Sequence, residues 1–207
     1  MSLASGFGGV GGYTMAHLSI ALLGPFQATL EGQPITTFRS DRVRALLAYL
    51  AVEAARPHAR DTLAALLWPD WPQEYARSSL RSALANLRQA IHDSDATPPH
   101  LFITRETIQF NRESDHSLDV ATLLECSALA SLTPPDLERS RQAIALYRGD
   151  FLEGFSIPDS AAFEAWASQQ REHFRQQALG ILHRLADVDL GGGDYPRAES
   201  YARRSLQ

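Results

Sequence analysis

Apolar positions recur at helical spacing through most of the chain and adopt strand-like patterns only near its start and middle. Between His17 and Phe38 a short apolar run, LSIALLGPF, is broken at Gly24-Pro25, and QATLEGQPITTF follows with turn residues at 31–34. This pattern predicts short strands and a hairpin. In SDRVRALLAYLAVEA, Val43, Leu46, Leu47 and Leu50 share one helical face, so a helix capped by Ser40 is expected, ending before Pro57. A shorter helix, TLAALLW, starts at Asp61 and closes before Pro69. The following WPDWPQ reads as a rigid bend, because each proline fixes its own φ, and Pro72 suits the first turn of the next helix.

Residues 73–92 carry the most ordered pattern. At about 100° per residue, Leu80, Leu84, Leu87 and Ile91 fall together as a core stripe, flanked by Arg77, Arg81 and Arg88. Ala85, Ser78, Gln89, Ser82 and Asn86 form the remaining face of small or hydrogen-bonding side chains, and no acid lies between Tyr75 and His92. Shortly afterwards LFITRETIQF reads as two strands joined at Arg105-Glu106. A helix with an apolar back, arginine flanks and a low polar front, followed by a small hairpin, suits a winged helix-turn-helix. One element would enter the major groove and the other lie beside it.

The acidic stretch NRESDHS then reads as a linker, and helical spacing dominates beyond it: Asp119 to Ala130, Asp136 to Tyr147, Ser160 to Leu190, and Tyr195 to Leu206 after Gly191-Gly192-Gly193. The last pair resembles a tetratricopeptide turn. The expected organisation is a disordered tail over 1–15 with Met15 a natural start, a winged-helix DNA-binding domain over 16–112, and a truncated helical domain over 113–207. The expected fold class is mainly α with a small β component, a winged helix plus a tetratricopeptide-like domain.

Charge sharpens this division. The chain of 207 residues has a net charge of -5, yet residues 36–112 hold ten Arg against eight acids, and residues 113–207 hold nine Arg against fifteen. A mildly basic module therefore precedes an acidic one, as when a nucleic-acid binder is joined to a module with another task. Every basic residue is Arg. The absence of lysine excludes P-loop, Schiff-base and kinase-type phosphate chemistry but not DNA binding, since guanidinium holds phosphate by a planar fork. The seven histidines and Cys126 show no metal-ligand spacing, and no nucleophile motif is present. An enzyme, a cofactor and a metal are not expected. No apolar run approaches the ~20 residues of a membrane helix. With one cysteine and no signal peptide, a cytoplasmic location is expected.

Each candidate residue has a plain structural alternative. Arg77 and Arg88 are assigned to phosphate and Arg81 to phosphate or a guanine edge, against a solvated helix face. Ser78 and Ser82 suit phosphate or base, and Asn86 has the geometry for adenine. Arg105 would approach the minor groove from the hairpin tip, or remain solvated. Arg39, Arg42 and Arg60 stand near helix starts and could hold phosphate. Trp68 and Trp71 either pack together or form a partner surface.

Two segments together are specific enough to name a family. LLWPDWPQEYARSSLRSALANLRQAI (Leu66 to Ile91) resembles the DNA-binding domain of the Streptomyces antibiotic regulatory proteins, which has the OmpR/PhoB winged-helix fold. ALYRGDFLEGF (Ala145 to Phe155), with Phe163-Glu164-Ala165-Trp166 and Gly193-Asp194-Tyr195, resembles the bacterial transcriptional activator domain that follows in that family. The resemblance covers roughly Leu18 to Gln207. It implies a transcriptional activator of bacterial cytoplasm that binds double-stranded promoter DNA at short direct repeats, with homodimerisation on DNA one option. It also implies contact with RNA polymerase through the loop from Trp68 to Glu74, including Trp68, Asp70 and Trp71. Ala85 and Asn86 depart from the more basic recognition helices of related sequences. The competing readings are a helical interaction scaffold whose winged helix does not bind DNA, and a regulatory segment of a larger sensor.

Overall fold

The computed structural model describes residues 17–129 and 136–206. The expected tail over 1–15 and the end of the helix expected to reach Ala130 lie outside the described residues. The chain opens with β1 (Leu18–Ala21), β2 (Gln27–Leu30) and β3 (Gln33–Pro34). Consecutive antiparallel pairing joins them, and the turn between β2 and β3 uses positive φ at Glu31 (50°) and Gly32 (77°). Three helices follow: α1 (Asp41–Val52), α2 (Arg60–Leu67) and α3 (Gln73–Ala90), with the two-residue β4 (His58–Ala59) between the first two. Ser40 occupies the N-cap of α1 in extended conformation, but its hydroxyl makes no capping bond.

The hairpin expected from LFITRETIQF is β5 (Leu101–Ile103) and β6 (Thr107–Phe110), and β4 joins β6 to make a three-stranded sheet. The stretch expected to be a linker is built into the fold instead. Residues His116–Leu118 form β7, which lies parallel to β1 and completes a four-stranded sheet in the order β3-β2-β1-β7. Asp119, directly after β7, explains the firmness of this junction. Its buried carboxylate accepts backbone N–H groups from Leu22 and Leu23 at 2.8 Å and from Val120 at 2.8 Å.

The second half comprises α4 (Asp119–Leu129), α5 (Leu137–Leu146), α6 (Ala161–Gly191) and α7 (Tyr195–Arg204). Asp136, Ser160 and Asp194 cap α5, α6 and α7, each accepting a backbone N–H three residues on. The two halves share one continuous core rather than meeting through a spacer. Phe151 bridges to Leu23 and Gly24, and its ring meets Trp166 and Phe174 at 5.7 and 5.2 Å. Trp166 in turn meets Tyr49 of α1 at 5.0 Å. Among the described residues no helix is long and apolar enough to cross a membrane, and no His/Cys/Asp/Glu group could hold a metal ion.

Candidate nucleic-acid interface

The amphipathic design of α3 decides which of its side chains remain available. Leu80, Leu84, Leu87 and Ile91 are buried, as the wheel requires, and Ala76, Ala83 and Ala90 widen that buried side. Their small size lets neighbouring backbone approach closely. The exposed arc holds Arg77, Arg81 and Arg88 together with Ser78, Ser82, Ala85 and Gln89. Tyr75 projects at its N-terminal end.

Asn86 does not belong to this arc, which corrects the expectation that it reads adenine. It is 5% exposed, and both ends of its amide are committed. Oδ1 accepts the Arg39 backbone N–H at 2.9 Å, and Nδ2 donates to the Thr37 carbonyl at 3.2 Å. Asn86 thus seals α3 against the segment entering α1, where a backbone donor and acceptor would otherwise be unsatisfied.

The three arginines differ in their partners. Arg77 makes a fork with Asp61 of α2, Nε to Oδ1 and Nη2 to Oδ2, both at 2.6 Å. Hydrogen bonding from this guanidinium, more than its charge, holds the Asp61 carboxyl below its ordinary pKa, and the same pair raises Arg77. Arg88 donates through Nε to Oδ2 of buried Asp93 at 3.0 Å, while the other Asp93 oxygen accepts the Leu101 N–H at 2.9 Å. Arg88 therefore also ties the end of α3 to β5. Arg81 has no hydrogen-bond or ion-pair partner among the described residues and is exposed. Ser82 donates to the Ser78 carbonyl at 3.2 Å, and Ser78 is exposed.

Arg105 and Glu106 form the exposed turn between β5 and β6. Arg60 reaches this turn through two donors to the Thr104 carbonyl, Nε at 3.2 Å and Nη2 at 3.0 Å. Its neighbour Asp61 grips Arg77, so adjacent residues of α2 bring the hairpin turn and α3 to one region. Sequence reasoning marked Asp61 only as a helix start. Its partner lies sixteen positions away across the bend, beyond any local spacing rule.

In the bend itself, Trp68 and Trp71 separate. Trp68 is 6% exposed, packed in the core with the Arg42 guanidinium 5.8 Å from its ring centre. This corrects its assignment as a polymerase contact, because a ring buried this way serves packing. Trp71 is 48% exposed, and Asp70 beside it is exposed. Arg42 is likewise engaged, donating to the Leu67 carbonyl at 2.9 Å and pairing with Asp159 at 3.5 Å.

Comparison with known proteins adds a relation to this geometry. The chain is 37% identical over 82 residues to the transcriptional regulatory protein EmbR of Mycobacterium tuberculosis and of Mycobacterium bovis. Over those 82 residues the chain is homologous to EmbR. The matched region is 40% of this chain and 21% of the EmbR sequence. A solved structure, Mycobacterium tuberculosis EmbR in complex with a low-affinity phosphopeptide, matches with a TM-score of 0.59 at 23% identity. That match covers 91% of this chain and 52% of the EmbR chain, so the chain spans about half of that relative. No family model matches. Likeness to EmbR supports the resemblance to the Streptomyces antibiotic regulatory proteins, and the expected fold class, mainly helical with small sheets, is borne out.

Proposed function

We propose that the chain is the DNA-binding and activating part of a bacterial transcriptional activator, with α3 entering the major groove of promoter DNA. The observation that carries this reading is the exposed arc of α3. It has Arg81 without a partner among the described residues, Arg77 and Arg88 along the same edge of the arc, and short side chains at Ser78, Ser82 and Ala85 that let a helix sit close to base edges. Arg81 is the base-reading or central phosphate residue. Arg77 and Arg88 add phosphate contacts with the guanidinium edges their acid partners leave open, and Arg105 reaches the neighbouring backbone or minor groove from the wing. Ser78 and Ser82 serve phosphate or base. Arg60 lends positive charge beside the wing while its hydrogen bonds go to a neutral carbonyl.

Trp71 and Asp70, exposed on the bend before α3, are the polymerase-facing surface in this reading. No catalytic step, cofactor or membrane partner enters it, and its setting is the bacterial cytoplasm. Binding-site selection with the full chain, followed by fluorescence anisotropy on the enriched duplex, tests the proposal. The expected result is a common sequence bound far more tightly than random DNA. Failure to enrich any sequence would favour the scaffold reading, for which the acid partners of Arg77 and Arg88 speak.

A further inference from the structure

We infer that Arg60 and Asp61 are positioning residues of the DNA interface: Asp61 aims the Arg77 guanidinium, and Arg60 fixes the wing turn relative to α3. The inference rests on the proposed DNA-binding reading and deepens it. Two adjacent residues at the start of α2 make four side-chain hydrogen bonds, two to the recognition helix and two to the wing. The Arg77–Asp61 pair is not needed to satisfy a buried charge, because both side chains are about half exposed.

The chemistry assigns each grip a consequence. Asp61 occupies the Nε and Nη2 side of Arg77. Nη1 and the second N–H of Nη2 remain, and these form the edge that meets a phosphate end-on with two parallel bonds. An arginine already held in one rotamer loses less freedom on binding than one that swings in solvent. Asp61 also places a negative charge near the backbone, but water and salt screen it at this exposure. Positioning therefore outweighs repulsion.

Arg60 acts on the other element. Its guanidinium spans the gap from α2 to the Thr104 carbonyl, one residue before Arg105. Its backbone N–H separately donates to the Glu106 carbonyl at 2.9 Å, so trimming the side chain leaves the strand pairing in place. The side chain sets how far the wing stands from α3, which decides whether Arg105 and Arg77 reach the same duplex together.

Anisotropy with the full chain on its selected duplex tests both halves of the inference, with thermal melting as a check on folding. Asp61→Ala is expected to weaken binding roughly 3–10-fold at fixed salt, since the Arg77 guanidinium is no longer held in the orientation that meets phosphate. A residue that merely supported the fold would lower the melting temperature together with affinity, and would keep its effect in an Arg77→Ala background. Asp61→Glu is expected to restore affinity, and Asp61→Ala is expected to add nothing to Arg77→Ala. Arg60→Ala is expected to weaken binding and to abolish the separate effect of Arg105→Ala. If either alanine variant melts early, Asp61→Asn and Arg60→Lys, which keep size and one hydrogen bond, are read instead with the same signs at smaller size. Binding as tight as wild type, or tighter, in Asp61→Ala would overturn the inference, as would simple addition of the Arg60 and Arg105 effects. A wild-type chain that binds no selected duplex would instead remove the DNA-binding reading on which it rests.

Discussion

The Trp166 indole N–H donates to the Glu53 carboxylate at 3.0 Å, joining α6 to the residue that ends α1. Around that bond the Trp166 ring meets Tyr49, Phe151 and Phe163. Nearby, Ser160 donates to the Leu66 carbonyl at 2.5 Å, so the cap of α6 also holds the end of α2. The helical half thus grips both helices that carry the bend and α3. The two halves should unfold together. Trp166→Ala is expected to cost about 2–4 kcal/mol, a large-to-small change at a shared aromatic cluster. Urea denaturation followed by circular dichroism should remain a single transition at a lower midpoint. Two separate transitions in the wild type would contradict the shared core.

Asp119 links the same halves through β1. Burial, opposed in part by its three backbone donors, raises its carboxyl pKa above the ordinary carboxylate value. The folded state therefore holds this proton to higher pH than the unfolded state. Its contribution to stability falls as pH rises from the unfolded value through the raised folded one. Asp119→Ala is expected to cost about 2–4 kcal/mol by orphaning buried N–H groups. It should also remove that local pH dependence. Denaturant midpoints measured across the acidic range for wild type and variant check both effects.

Asn86 gives the clearest separation of folding from recognition. Asn86→Ala is expected to destabilise by about 1–3 kcal/mol, because the Arg39 N–H and Thr37 carbonyl lose their partners. Base preference should not change. Chemical denaturation and binding-site selection on the same variant measure the two effects, and an altered preferred base would return Asn86 to the reading face.

Much of this fold was legible because its helices are amphipathic and long. The stripe of Leu80, Leu84, Leu87 and Ile91 predicts the buried side of α3 without reference to any neighbour. What escaped depends on distant partners. β7 pairs with β1 about a hundred positions earlier, and its acidic surroundings resemble a linker; β4 has only two residues and exists through β6. The wheel placed Asn86 opposite the arginines but could not show that residues 37–39 cover that side. For the same reason Asp61, the partner of Arg77 sixteen positions away, was invisible to local spacing. Asp93 lies only five positions after Arg88 but beyond the end of α3, where helical spacing no longer applies.

The two tryptophans of the bend should behave differently. Trp68→Ala removes a buried ring and is expected to cost about 3–5 kcal/mol, lowering stability and every activity together. Trp71→Ala removes an exposed ring and should leave stability and DNA affinity near wild type while reducing activated transcription. Melting, anisotropy and reconstituted transcription on one promoter distinguish them. Equal loss of DNA binding and activation in Trp71→Ala would make it part of the scaffold.

In the proposed reading, α3 and the wing hold duplex DNA through their arginines. Salt titration of full-chain binding to a selected duplex, for wild type and Arg81→Ala, tests it most directly. With Arg77, Arg81, Arg88 and Arg105 engaged, log affinity should fall with log salt at a slope of about -3 to -4, near -0.9 for each phosphate. Arg81→Ala should weaken specific binding by ~1–3 kcal/mol if it reads a base, or reduce the slope by about 1 if it holds a phosphate. A slope near zero, or an Arg81→Ala variant indistinguishable from wild type in both affinity and slope, would contradict the account.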